Sequence, residues 1–463
     1  MSSGPGTLSP WSPRGSGTTV PALDRVSGWV TCALILGLPL QTGVERICDV
    51  ANMPAAVFVA VRYWKEACIA ALAFHAWLLV LSRSVRLHGL YAPTLLGWAF
   101  LTLFLGFRAA TGGDLVSGLY AFRVYLEPLV GGVAMAVILV RLGWQRLLPQ
   151  LLALASFPIL ALAIYQAVLP FSDFNTAIRQ TAANAFGELP NAFSVSVVNR
   201  LRPFSTFSDP NDFGLFAAVL FLASFAPNSS TPTWQRIRRV AKWGAVAMLA
   251  LSFSRSATLA LIVGICALGL TAVFSAAPER LRSNWTSIWL ALLVAGSLAA
   301  AAVVWRKNIP QVAHIVNTMS QSDPSSRGHV RSLMAGTWEL IDHPAGLGLG
   351  VVGPRAGLYG RAGKVYHVES SYLQLGLEAG VVGLLIYALS WVTMFGGLLT
   401  DLGLHLGPER GQWARVGLVI LCAQGIAFAF LPTIVSLQTG AIVWCFLGLA
   451  IVLPMARASH LGG

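Results

Sequence analysis

Apolar runs of about 18 to 25 residues recur along the chain, each long enough to cross about 30 Å of hydrocarbon as a helix. They fall at about 28–44, 66–82, 91–107, 117–140, 147–169, 211–226, 240–253, 256–275, 286–304, 370–399, 414–431 and 436–456. The pattern predicts an all-α polytopic membrane protein with about twelve transmembrane helices. No run shows the residue-by-residue alternation of a membrane barrel. The piece 50–62 is apolar but short and reads as an interfacial or re-entrant segment. Polar stretches break the pattern at residues 1–26, about 170–209 and 305–367. The first is rich in Ser, Gly, Pro and Thr and reads as a disordered tail rather than a signal peptide. The domain plan is a tail (1–26), helices with an outer loop near 170–209 (27–304), a large outer loop (305–367) and C-terminal helices (368–456).

Composition agrees. The 463 residues are 56% hydrophobic and 11% charged, against about 25% charged in a soluble domain. The net charge of +13 reads first as topology, since Lys and Arg stay on the cytoplasmic side. With the N-terminus inside, every inner connection is basic: Arg83 and Arg86; Arg141 and Arg146; Arg236, Arg238, Arg239 and Lys242; Arg280 and Arg282; Arg410, Arg415 and Arg457. The two long loops then face outside. Nucleic acid is a poor partner, because no soluble basic domain exists to hold it. The six cysteines lie mostly in apolar runs without CxxC spacing, and suggest neither a disulfide framework nor a metal site.

One basic feature escapes the topology rule. The outer loop 305–367 carries Arg306, Lys307, Arg327, Arg331, Arg355, Arg361 and Lys364 against Asp323, Glu339 and Asp342, or seven minus three, +4. A basic surface beside lipid headgroups suits an anionic substrate.

Several constellations carry candidate chemistry. In Asn199–Gly214, Ser208 or Asp209 reads as a helix cap, Pro210 as a first-turn residue and Asp212 as a dipole complement. Capping leaves Arg200 and Arg202 unexplained, and a helix N-terminus with arginine nearby is also a phosphate site. Ser254-Arg255-Ser256 occupies a tight outer turn, where Arg255 reads either as a snorkelling residue or as a guanidinium aimed at a diphosphate. Arg123 and Glu127 lie within a span, four residues apart. They read equally as a structural pair and as a substrate-facing arginine with its neighbour. Residues 323–331, with Arg327 and Arg331 one turn apart, precede an apolar piece and read as a helix at the outer interface. The Gly346–Gly350 run has no preceding strand and no following Lys-Ser/Thr, so its glycines read as turn formers that permit close backbone approach. His367 and Glu369 stand where the loop meets the span at 370, with Ser370, Ser371 and Tyr372 next. Metal and serine-triad motifs are missing.

Four pieces in order, RPFSTFSDPNDFG, SFSRSATLAL, SRGHV…W…HPAGLGLG and HVESSYLQLGLEAGVVG, resemble the O-antigen ligase and polysaccharide polymerase family of bacterial inner-membrane enzymes. The likeness covers roughly residues 200–400. It implies a lipid-facing glycosyltransferase of the GT-C type, metal-independent and inverting, with no cofactor. Its active site would face the periplasm or outside. The donor would be an oligosaccharide on undecaprenyl diphosphate and the acceptor a glycan hydroxyl. Other polysaccharide assembly and export proteins would be its further partners. By the resemblance, Arg202 (or Arg200) and Arg255 grip the diphosphate. Ligases of the family show a His-Asn-Ser-Tyr pattern where this chain has Glu369-Ser370-Ser371-Tyr372, with His367 two residues earlier. That departure favours repeat-unit polymerisation, for an exopolysaccharide, capsule or O-antigen, over ligation to a lipid-A core.

The chemistry assigns Glu369 or His367 as base and Arg255, Arg202 and Arg123 as diphosphate clamps, with Arg327 and Tyr372 on glycan or phosphate. A transporter is the competing class, but no internal repeat is visible and the polar residues collect at the outer surface.

Overall fold

The computed structural model describes residues 21–111, 115–170, 172–178, 194–195, 200–227, 231–274, 324–352, 368–403 and 408–452. Within them the regular structure is helical, apart from two two-residue strands, β1 (Ser194–Val195) and β2 (Arg200–Leu201), paired antiparallel. The helices are α1 (Ala22–Gly37), α2 (Gln41–Val50), α3 (Ala55–Leu81), α4 (Ala92–Thr111), α5 (Leu115–Leu142), α6 (Leu147–Val168), α7 (Pro210–Ala223), α8 (Pro232–Ser252), α9 (Arg255–Phe274), α10 (Pro324–Asp342), α11 (Ser371–Gly403), α12 (Pro408–Phe430) and α13 (Leu437–Val452).

Helices dominate because a backbone in hydrocarbon must satisfy its own N–H and C=O groups. Among the described residues, eight helical stretches are long and apolar enough to cross a membrane, and α7 and α13 are shorter apolar helices. The expected count of twelve is therefore not reached by these criteria. The run at 286–304 lies outside the described residues. The run at 240–253 is the apolar half of α8, whose first half carries Arg236, Arg238, Arg239 and Lys242. The short piece 50–62 is corrected: its second half forms the first two turns of α3, continuous with the span that follows. The expected large outer loop contains a 19-residue helix, α10, over the stretch read as an interfacial helix.

Large apolar side chains such as Leu103, Phe107, Leu389 and Val392 stand on the bundle surface. That is how a lipid-facing surface is built, and a water-facing one would hide such a patch. Inside, α5 and α13 cross closely over small residues. A Cβ on Gly132 would lie 2.5 Å from the Ala441 carbonyl oxygen, and one on Gly448 2.8 Å from the Ala136 Cβ. Such small-residue contacts let helix backbones approach where lipid supplies no hydrophobic drive.

Alternating chain direction gives the bundle two ends. The first gathers the start of α1, the ends of α5 and α11, and the starts of α6 and α12. There Arg141 meets Asp24 at 3.0 Å, Arg146 meets Glu409 at 3.0 Å, and Arg410 meets Asp401 at 3.0 Å. Tyr91 also donates to Asp401 (2.7 Å). The second end gathers α2, the starts of α3, α5, α7, α9 and α11, and the turn between α12 and α13.

Candidate functional site

The second end is organised by the segment before α7. Asp209 caps that helix, its Oδ1 accepting the N–H groups of Asn211 (2.7 Å) and Asp212 (3.1 Å). Pro210 takes the first helical position. Asp212 does more than complement the dipole. It accepts from Ser436 (2.8 Å) and Thr439 (3.0 Å), and so ties α7 to the turn after α12.

Arg202 is held in place by this frame. Its Nε donates to the Ser252 carbonyl and its Nη2 to Asn211 Oδ1, both at 2.9 Å. Ser252 ends α8, Phe253 takes a left-handed conformation (φ 51°), and Ser254 opens α9 with its Oγ toward the Ala257 N–H. Arg255 is therefore the first residue of α9. The turn packs directly on α7: a Cβ on Gly214 would lie 2.7 Å from Ser252 Oγ and 2.9 Å from Ser254 Cβ. Two helix N-termini thus converge with two arginines. The Arg202 guanidinium is pushed down to about 10, chiefly by burial and further by the positive charge of Arg255, while Asp209 opposes the shift. It remains a cation at neutral pH.

Arg46 completes this frame and was not singled out from the sequence. Only 4% exposed, it donates to the carbonyls of Phe207 (2.7 Å) and Ser208 (3.0 Å) and lies 4.7 Å over the Phe204 ring. It fixes the loop that presents Arg202 from a helix more than 150 residues earlier.

The second half of the site is the start of α11. Ser370 donates to the Phe428 carbonyl and Ser371 to that of Leu431. These bonds join α11 to the same turn that Asp212 holds. The Glu369 N–H donates to Ser332 Oγ (3.2 Å), and the Glu369 carboxylate pairs with His329 Nδ1 of α10. Glu369 stays accessible, with 41% of its side chain exposed. The sequence signal for His329 was its place in SRGHV, which reads equally as one polar residue of a helix. His367 lies outside the described residues.

Other candidate residues are placed as follows. The Tyr372 hydroxyl donates to the Gly425 carbonyl (2.9 Å) among Tyr387 and Phe428. Arg123 joins Glu66 (3.3 Å) and Glu127 (3.4 Å), so the pairing read from the i, i+4 spacing is present, with a further carboxylate from α3. Arg200 lies in β2 and Arg327 in the first turn of α10. The Gly346–Gly350 glycines are turn formers: Gly346, Gly348 and Gly350 have φ of 80°, 106° and 80°.

Fold and site together define a polytopic helical membrane protein with a cationic, helix-dipole-lined site at one end. Residues 240–388 match the family described as O-antigen ligase, and this match supports a place in the O-antigen ligase/polymerase family. The matched segment spans α8 to the middle of α11 and contains Arg255, His329 and Glu369; Arg46, Arg123 and Arg202 lie before it. No curated protein matches the chain.

Proposed function

We propose that the protein is a repeat-unit polymerase. It would transfer a glycan from undecaprenyl diphosphate to an acceptor sugar hydroxyl at the outer face of a bacterial inner membrane. The observation that carries this reading is the convergence of Arg202 and Arg255 at the N-termini of α7 and α9. Burial of Arg202 beside Arg255, with Asp209 as the resident counter-charge, leaves two guanidiniums and two helix N-termini that together suit a further anion. A diphosphate leaving group is such an anion, and its charge grows as the bond to the anomeric carbon breaks.

The base is Glu369 acting with His329. The carboxylate on Nδ1 orients the imidazole and leaves Nε2 to take the acceptor proton. Direct attack inverts the anomeric centre, and no metal enters the step. The basic connections at the ion-paired end support an orientation with that end in the cytoplasm and the site outside.

Ligation to a lipid-A core or another acceptor is the second reading, since it would use the same clamp and base. A deletion strain separates the two. Loss of long polymer with single repeat units left on undecaprenyl diphosphate supports polymerisation. Long polymer retained on the carrier supports ligation. An unchanged glycan profile contradicts both.

A further inference from the structure

The chain after α10 folds back on α11 and stays there. Helix α11 is broken at Gly380 (φ 78°, ψ 176°), and a break frees main-chain groups on either side of it. Residues 344–348 take them up. Leu347 N–H donates to the Leu377 carbonyl, Gly348 N–H to that of Glu378, and Val381 N–H to that of Pro344, at 2.6, 3.2 and 2.9 Å. The approach leaves no room for a side chain: a Cβ on Gly346 would lie 2.5 Å from Gly380 N, and one on Gly380 2.7 Å from the Ala345 carbonyl.

Glu378 closes this junction. It is 1% exposed. Its Oε1 accepts the N–H groups of Gly350 and Val352, both at 3.1 Å, and its Oε2 accepts the Tyr125 hydroxyl at 2.7 Å. One carboxylate therefore joins α11, α5 and the strap that leaves α10. Arg108 of α4 adds a bond to the Gly346 carbonyl (3.2 Å). Above the junction, Leu340, Leu347, Val352, Val368, Leu373 and Leu377 pack α10 on α11.

His329 sits on α10, thirteen residues before its last residue, or about 20 Å along a rigid helix. A small rotation at the strap moves the far end by ångströms, enough to part an ion pair. We propose that Glu378 is a positioning residue, which fixes α10 against α11 so that His329 stays on Glu369. This rests on the reading of that pair as the base. The same junction carries its effect past Tyr125 into α5, but Arg202 and Arg255 lie on other elements. Loss of Glu378 is therefore expected to act on turnover rather than on affinity for the lipid-linked donor.

The test uses the full chain in membranes, with its six native cysteines changed to Ala and new cysteines at Gly336 and Leu373. These positions face each other: a Cβ on Gly336 would be 3.3 Å from Leu373 Cδ1. Disulfide formation is read as loss of maleimide labelling after mild oxidation, against single-cysteine controls. In Glu378→Ala, crosslinking and kcat fall about tenfold together with KM unchanged, because two buried amides lose their acceptor. In Glu378→Gln, which still offers an oxygen to both amides, both recover. If Glu378→Ala unfolds, Tyr125→Phe gives the smaller change in the same direction.

Crosslinking unchanged with activity lost would overturn the proposal, since Glu378 would then act on the reaction itself. Crosslinking lost with activity unchanged would overturn it as well. If Glu369→Ala and His329→Ala both retain activity while crosslinking still depends on Glu378, the base assignment fails and the anchoring of α10 stands.

Discussion

Two groups of arginines, one at each end of the bundle, are held in different ways. At the first end Arg141, Arg146 and Arg410 each meet a carboxylate within 3.0 Å. At the second, Arg46 is held by the carbonyls of Phe207 and Ser208, and Arg202 by the Ser252 carbonyl and the Asn211 amide. Carbonyl dipoles orient a guanidinium without cancelling its charge. The nearby carboxylate, Asp209, caps α7. On the proposed reading, Arg141, Arg146 and Arg410 anchor the fold, whereas Arg202 serves an anion that comes and goes. The comparison separates residues whose loss should unfold the protein from residues whose loss should only silence it.

The largest effect should come from breaking an anchoring pair. Asp401→Ala leaves Arg410, with 4% of its side chain exposed, as an uncompensated buried charge, at a cost of about 3–5 kcal/mol. Protein abundance in the membrane and thermal stability in detergent should both drop. The double change Asp401→Leu with Arg410→Leu should recover much of that loss, because a packed apolar pair can replace a buried ionic one.

Arg255→Ala sharpens the contrast from the other side. Abundance should stay near that of the parent while transfer falls by about 10²–10³, the scale of losing a preorganised group that stabilises developing charge. A matching loss of abundance would mean that Arg255 is structural after all. Gly380→Ala comes next. Its φ of 78° and the 2.7 Å approach to Ala345 should cost about 1–3 kcal/mol through strain, read as a lowered melting temperature. Asp209→Ala is the mildest: loss of the cap should cost about 1 kcal/mol, with a moderate fall in transfer as the α7 N-terminus frays beside Arg202.

Much of the fold was legible because a membrane span is written in one contiguous run, so length and apolarity suffice. The 55–81 helix was misjudged at its start because Arg62, Lys65 and Glu66 interrupt the run, and Lys65 and Glu66 lie in a network with Glu45 and Arg123 that only the folded chain assembles. Arg202 and Arg255 were visible as charges that topology left unexplained. Arg46 was not, since its partners are 161 and 162 residues away. Glu378 could have been found by the rule that flagged Arg123 and Glu127. With Asp401 it is one of the two charged residues of α11, and a charge inside a span calls for a partner. Two of its partners are backbone amides, which leave no mark on sequence, and the third is the Tyr125 hydroxyl, 253 residues earlier.

The most direct test of the central claim is an Arg202→Ala, Arg255→Ala double variant expressed in the deletion strain. Long polymer and lipid-linked intermediates would be measured alongside protein level in the membrane. The account predicts normal protein level, no long polymer, and glycan stranded on its lipid carrier. Long polymer of unchanged length and yield, from protein present at the normal level, would contradict it.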